Sequence, residues 1–493
     1  MFYVSTRDTD ECPKKITSAE AIKRGLASDK GLYMPTGIPT LGADDIAKLA
    51  EMSYPERAAE VLSLFLTDYD KNALLSDCTE AYSDGRFPGG AAQLKKLGQI
   101  YPLELWHGPT CAFKDMALQI MPRLLSRALS MTDEKELAHI LVATSGDTGK
   151  AALEGYKDVD GVKITVFYPA YGVSAMQKRQ MATQEGNNVT VCAVEGNFDD
   201  AQNGVKAIFS NRSLAEKAHE SGFFFSSANS INWGRLAPQI VYYISAYCDM
   251  IKSGDIKNGE KVNVCVPTGN FGNIFAAYIA RRMGLPIGRL ICASNSNNVL
   301  TDFIRTGTYD RTRKFHKTMS PSMDILISSN LERLLYVIAG SKATAEYMEK
   351  LASDGKYTVT GEVLDEIKSV FSGYCLSEDE TASVIRTTFD AAGYLVDTHT
   401  AVGLGCAEKY VAETGDSAKI ILASTASPYK FAADVCRSLC VNADGLDGEA
   451  LLKALSDATG TEIPAPLMRT LTLPVRFSRV VTPEKMPDVV LGN

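Results

Sequence analysis

From about residue 100 onward, short and nearly continuous apolar runs recur, many followed by a glycine-rich or polar turn and then a helical pattern. The runs at 140–143, 164–167, 189–191, 262–266, 290–292 and 420–423 are of this kind. A strand with one face in water alternates polar and apolar residues. A strand that is apolar throughout is buried on both faces, as in a parallel sheet covered by helices. The pattern therefore predicts an α/β fold of the doubly wound kind. It also locates the chemistry, because ligands of such folds sit beyond the carboxyl ends of the strands.

At roughly 150 residues per domain, 493 residues suggest about three domains. The stretch before residue 95 mixes short helices and loops. Thr17-Ser18-Ala19-Glu20 has capping-box spacing and predicts a helix over 17–27, closed by a turn at 31–35. The loop Phe87-Pro88-Gly89-Gly90 lies close to the change of pattern. We expect an N-terminal domain at 1–95, a large domain from 96–125 and 241–493, and a small domain at 126–240. The stretch 474–493 is expected to belong to the large domain.

Composition narrows the function. With 45% hydrophobic and 22% charged residues, the chain can bury large cores, which argues against disorder. A net charge of -8 gives no support for nucleic acid or an anionic membrane as partner, so any anionic ligand needs a local site. No apolar run approaches the roughly 18 residues of a membrane helix, and the N-terminal residues lack the pattern of a secretory signal. The 11 cysteines are scattered without a C-x-x-C pair, which reads as buried thiols in a cytoplasmic protein. The five histidines are dispersed, so no metal site is expected.

Three strand-ending turns stand out. In Thr144-Ser145-Gly146-Asp147-Thr148-Gly149-Lys150, small and hydroxylated residues let backbone N–H groups face an anion at a helix N-terminus. Taken alone, a plain N-cap explains it as well. Pro267-Thr268-Gly269-Asn270-Phe271-Gly272-Asn273 suits phosphate, with glycines for close approach and asparagines as added donors. It is neither a P-loop nor the dinucleotide fingerprint, and a tight βα turn is its bland alternative. Ser424-Thr425-Ala426-Ser427-Pro428 offers hydroxyls to a ligand heteroatom or to helix capping.

A fourth segment, His107-Gly108-Pro109-Thr110-Cys111-Ala112-Phe113-Lys114-Asp115, sets a lysine at a helix start after an apolar pair. The macrodipole repels a cation there, and partial burial adds to the effect, so the amine pKa falls. A neutral amine is what Schiff-base formation needs. On local grounds Lys114 is equally a surface lysine paired with Asp115. One such lysine with a phosphate-type and a carboxylate-type turn suggests pyridoxal phosphate (PLP) and an amino-acid substrate.

At these residues the chain resembles the threonine synthases, within the fold-type II PLP enzymes of the tryptophan synthase β-like kind. The motifs are 107–115, Ala143-Thr-Ser-Gly-Asp-Thr-Gly149, Asn229-Ser-Ile-Asn-Trp-Gly-Arg235, Gly269-Asn-Phe-Gly-Asn273 and Ser424-Thr-Ala-Ser-Pro428. Tyr3-Val-Ser-Thr-Arg7, Ser322-Met-Asp-Ile325 and Ser329-Asn-Leu-Glu-Arg333 extend the similarity over nearly the whole chain, in the family's order.

The resemblance implies that Lys114 is the Schiff-base lysine, with Phe113 beside it, and that Gly269, Asn270, Phe271, Gly272 and Asn273 form the cofactor's phosphate cup. It places Thr425 against the pyridine nitrogen and gives Ser145, Gly146, Asp147 and Thr148 to the substrate carboxylate. Asn232 and Arg235 are expected near the substrate phosphate. Lys178 and Arg179 add positive charge there or form a solvated helix face. The chain departs from the family at Ser427, often histidine, and at Lys30, where glycine is expected.

What the resemblance implies as activity is conversion of O-phospho-L-homoserine and water to threonine and phosphate by γ-elimination and β-hydration. Release of 2-oxobutyrate, phosphate and ammonia by a related phospho-lyase is the alternative, and a non-catalytic PLP-binding protein is a third reading. The partner is a small phosphorylated amino acid, and the assembly a monomer or homodimer.

Overall fold

The computed structural model describes residues 1–144, 146–171 and 173–492. Two parallel sheets organise it, as the apolar runs require. The larger has six strands in the order Phe371–Cys375, Ile287–Ser294, Val262–Pro267, Ile420–Ser424, Ile100–Glu104 and Gln93–Leu94, and only the last pairing is antiparallel. The smaller has five parallel strands in the order Val480–Val481, Val189–Val194, Val162–Pro169, Leu137–Ala143 and Phe223–Ser226. Each of the six apolar runs lies within one of these strands, and most of their residues are buried.

The expected domain division fails at the C-terminus. Val480 and Val481 pair with Ala193 and Val194 of the smaller sheet. The helix Met486–Leu491 then buries Met486, Val489 and Val490 in the core beneath the helix Phe198–Ser210. The tail thus covers what would be an open edge of the small sheet, and an uncovered edge strand invites mispairing. The end of the expected 241–493 unit belongs with the smaller sheet.

The N-terminal region packs on a long helix of the rest of the chain. Helices Ala43–Glu51 and Tyr54–Phe65 pack on the 20-residue helix Trp233–Lys252. The rings of Tyr3 and Phe65 lie 5.7 and 5.6 Å from that of Trp233. The first helix is Ser18–Arg24, capped by Thr17, whose hydroxyl accepts from Glu20 N at 3.2 Å; it stops before residue 27 because Gly25 turns to φ 70°. Lys30 adopts φ 67°, the left-handed conformation that explains why glycine is expected there. Part of the expected turn at 31–35 is instead a strand, Tyr33–Pro35, paired with Tyr3–Ser5.

Candidate active site

The lysine segment reaches the site by leaving the strand Ile100–Glu104 and running alongside the turn after Ile420–Ser424. Phe113 N donates to Thr425 O at 2.8 Å, and Ser427 N donates to Cys111 O at 3.1 Å. Lys114 precedes the single-turn helix Asp115–Leu118. Asp115 is not its partner. The buried carboxylate takes the backbone N–H of Thr110 at 2.8 Å and its hydroxyl at 2.7 Å. Burial pushes the Asp115 carboxyl up to about 6, against the Thr110 bonds. Lys114 has no ion pair among the described residues; its Nζ lies 5.4 Å from the centroid of the Phe113 ring. Burial brings its amine down to about 8, opposed by Asp147 and assisted by the cations Arg235 and Lys430.

The turn after Val262–Pro267 is built for close approach. Phe271 takes φ 62° and hands the chain to the helix Gly272–Arg282. A Cβ on Gly269 would lie 2.7 Å from Ser322 O, so no larger residue fits without displacing backbone. Ser328 Oγ donates to Gly269 O at 2.7 Å, and Asn330 donates to Asn270 O through both N and Nδ2 at 3.0 Å. Asn273 accepts from the Tyr243 hydroxyl through Oδ1, while its buried Nδ2 has no partner among the described residues. An orphaned buried donor is costly unless a ligand supplies the acceptor. At a helix N-terminus that acceptor is fittingly an anion, and a phosphate oxygen meets the need.

The hydroxyl turn faces the lysine segment. The Thr425 hydroxyl makes no hydrogen bond among the described residues, whereas its backbone N donates to Thr400 Oγ1 at 3.3 Å. Thr400 and His399 are fixed by the buried Asp397: His399 Nδ1 donates to Asp397 Oδ2 at 2.8 Å, and its Nε2 accepts from Ser322 N at 3.1 Å. Sequence reading missed this network, although Asp397 is a recognisable N-cap for the helix Thr398–Thr414. Ser427, where the family often has histidine, is fully buried, and its hydroxyl accepts from Tyr429 N at 3.4 Å.

The loop at 144–150 opens the helix Asp147–Tyr156 of the smaller sheet; Ser145 lies outside the described residues. Thr144 Oγ1 accepts from Gly146 N and Gly149 N, both at 2.9 Å. Gly146 adopts φ 144°, and a side chain there would collide with Gln177. The Asp147 carboxylate is buried between Lys430 Nζ at 2.7 Å and Gln177 Nε2 at 2.8 Å. Burial alone would raise its pKa, but Lys430 and Lys114 outweigh that and hold it well below the usual carboxylate range. Lys430 was missed in the sequence, where it sits between Tyr429 and Phe431 with nothing to mark it as charged and buried.

Of the two residues expected near a substrate phosphate, Arg235 meets the loop. Its guanidinium donates to Ala228 O at 2.9 Å and to Thr148 Oγ1 at 3.4 Å, and no carboxylate pairs with it among the described residues. Burial brings it down to about 10. Asn232 is engaged by the backbone: Oδ1 accepts from Gly234 N at 2.9 Å, and Nδ2 donates to Ile22 O at 2.9 Å. Lys178 is exposed, and Arg179 donates to Leu471 O and Leu473 O, so neither adds charge to the loop. Lys114 and Lys430 thus act on the carboxylate of Asp147, and Arg235 acts on Lys114 from the same side. That excess of positive charge suits a polyanionic ligand on an acidic protein. The cavities of about 470 and 690 Å³ elsewhere hold none of these residues, so chemistry rather than volume identifies the site.

The chain is similar to known proteins over most of its length. The family described as "Threonine synthase N terminus" matches residues 2–82, and that described as "Pyridoxal-phosphate dependent enzyme" matches residues 91–425. The chain is 38% identical to the threonine synthase of Pseudomonas aeruginosa over 438 residues, 87% of this chain and 89% of that protein. It is 39% identical to human threonine synthase-like 1 over 455 residues, 89% of this chain but only 60% of that longer protein. The crystal structure of PLP-bound threonine synthase from Brucella melitensis superimposes with a TM-score of 0.87 at 36% identity, covering 100% of this chain and 99% of that one.

Proposed function

This chain belongs to the threonine synthase family of PLP-dependent enzymes, and from that premise we propose that it converts O-phospho-L-homoserine and water to L-threonine and phosphate. One observation carries the reading. A lysine with no ion pair among the described residues follows Phe113, which is hydrogen-bonded to the turn after Ile420–Ser424; that strand neighbours the strand leading into the cup at 269–273, and the lysine feels the charges of Asp147, Arg235 and Lys430. The cofactor phosphate fits the cup, and the anionic groups of the substrate fit the loop at 144–150.

Lys114 would hold the cofactor covalently, Gly269 to Asn273 its phosphate, and Thr425 its pyridine nitrogen. When bound, PLP supplies the electron sink that acidifies the carbon bearing the amino group. With substrate bound, the Lys114 amine would take the Cα proton at Nζ; its lowered pKa keeps a useful neutral fraction for that task. Removal of a Cβ proton lets phosphate leave Cγ with the C–O electron pair. Protonation at Cγ, addition of water at Cβ and return of a proton to Cα complete threonine. Arg235 and the loop at 146–148 orient the substrate and offset the charge of the departing phosphate. Thr425 is neutral and would hold no extra proton on the ring nitrogen, which would leave more of the work to the chain's own acid–base groups.

No helix among the described residues is long and apolar enough to cross a membrane. With its cysteines free and mostly buried, we place the protein in the cytoplasm, as a monomer or homodimer. The test is to incubate the PLP-loaded protein with O-phosphohomoserine and identify the organic product. Threonine formed in step with phosphate is expected. Oxobutyrate and ammonia without threonine would overturn the proposal in favour of a phospho-lyase. No turnover by a PLP-loaded protein would leave a binding protein.

A further inference from the structure

Beyond its charge at the anion loop, Lys430 takes no step in the chemistry above, yet three walls of the site meet at its ammonium. It lies in the turn Pro428–Phe431, and its side chain has no exposure to solvent. Nζ is 2.7 Å from Asp147 Oδ1 and donates to Thr110 O at 2.9 Å. The first partner opens a helix of the smaller sheet, and the second belongs to the lysine segment. Gln177 completes the surroundings of Asp147.

The charged and titratable groups around this pair are Lys114 and Arg235 on the ligand side, Asp115 and Cys111 on the lysine segment, and Lys150 with Glu154 further along the helix. Asp115 is held by Thr110, and Lys150 pairs with Glu154. The cations that act on Asp147 are therefore Lys430 and Lys114. A buried carboxylate does not stay unpaired. Without Lys430, Asp147 would turn to Lys114, hold that amine protonated, and set an uncancelled negative charge in a loop meant for an anion.

We propose that Lys430 is a positioning residue that neutralises Asp147 and fastens the head of the helix Asp147–Tyr156 to the lysine segment, leaving Lys114 without a counter-ion and the loop receptive to an anion. The inference rests on the proposed function for the loop's ligand, but its test does not require turnover. Full-length wild type, Lys430→Met, Lys430→Arg, Asp147→Asn and the Lys430→Met/Asp147→Asn double variant are stripped of cofactor. Capture of added PLP is followed by visible absorbance between about pH 6 and 10. The adduct is fixed with borohydride and located by peptide mass, with circular dichroism as the check on folding.

In Lys430→Met the midpoint of capture moves up by about one pH unit, a roughly tenfold loss of rate at neutral pH. Asp147→Asn moves it down. The arginine variant stays near wild type, and the double variant returns towards wild type because both charges are gone. If Lys430→Met does not fold, the downward shift in Asp147→Asn and the recovery in the double variant carry the test. Unmoved midpoints in folded variants overturn this proposal alone. Failure of wild type to capture PLP at Lys114 overturns it together with the proposed function.

Discussion

Replacing Gly269 with alanine isolates the close approach that a phosphate cup demands. Its φ is unexceptional for an L-residue, so the substitution acts through space and not through backbone conformation. The new Cβ would stand 2.7 Å from Ser322 O where ordinary contact begins near 3.4 Å, so about 0.7 Å must be found. The opposing wall is anchored. Ser322 N donates to His399 Nε2 at 3.1 Å, and Met323 N donates to Ser320 O at 3.0 Å. The cup itself therefore gives way. Overpacking of this kind costs about 1–3 kcal/mol. Taken up in the cup, it weakens PLP binding about 5- to 150-fold. Gly272→Ala is the internal comparison, since its Cβ would meet Asn330 Nδ2 at 3.3 Å, only about 0.1 Å inside ordinary contact, and should cost less. Titration of the cofactor-free variants with PLP, read by visible absorbance beside thermal melts, measures both. Wild-type affinity in folded Gly269→Ala, or a larger loss in Gly272→Ala, would refute the reasoning.

Tyr243→Phe removes the donor to Asn273 Oδ1 and leaves a buried amide oxygen unsatisfied beside its orphaned Nδ2. At about 1–3 kcal/mol for such a loss, PLP affinity falls roughly tenfold, and unchanged affinity would show that Asn273 does not serve the phosphate. Capture of PLP by Lys114 should rise with pH and level off above about 8, whereas an ordinary lysine would still be rising at that point. The same lowered amine makes the unfolded chain bind more protons between about pH 8 and 10.5, so Lys114 makes stability increase with pH across that window, and Lys114→Met should abolish the increase in denaturant titrations.

The sequence made the architecture legible because strands buried on both faces leave an apolar signature, as at 140–143 and 262–266. The tail was not legible: a strand of two residues has no period, and Val480 is exposed. Turn chemistry marked the proposed phosphate cup and the proposed anion loop, since glycine and small polar residues at strand ends favour close approach of a ligand. It did not reveal Lys430, because a buried ion pair is made by residues far apart in the chain. Asn232 looked like a ligand donor for the same reason that it is a good helix cap: a short side chain with both an acceptor and donors. Arg179 drew notice as a nearby charge, but only the fold shows it bound to the carbonyls of Leu471 and Leu473.

Everything proposed here turns on the amine of Lys114. Borohydride reduction of the PLP-loaded full-length chain, followed by digestion and peptide mass analysis, tests it most directly. The account predicts one pyridoxyl group per chain, on the peptide holding Phe113, Lys114 and Asp115, and none in Lys114→Ala. A label on another lysine, or full labelling of the alanine variant, would contradict it.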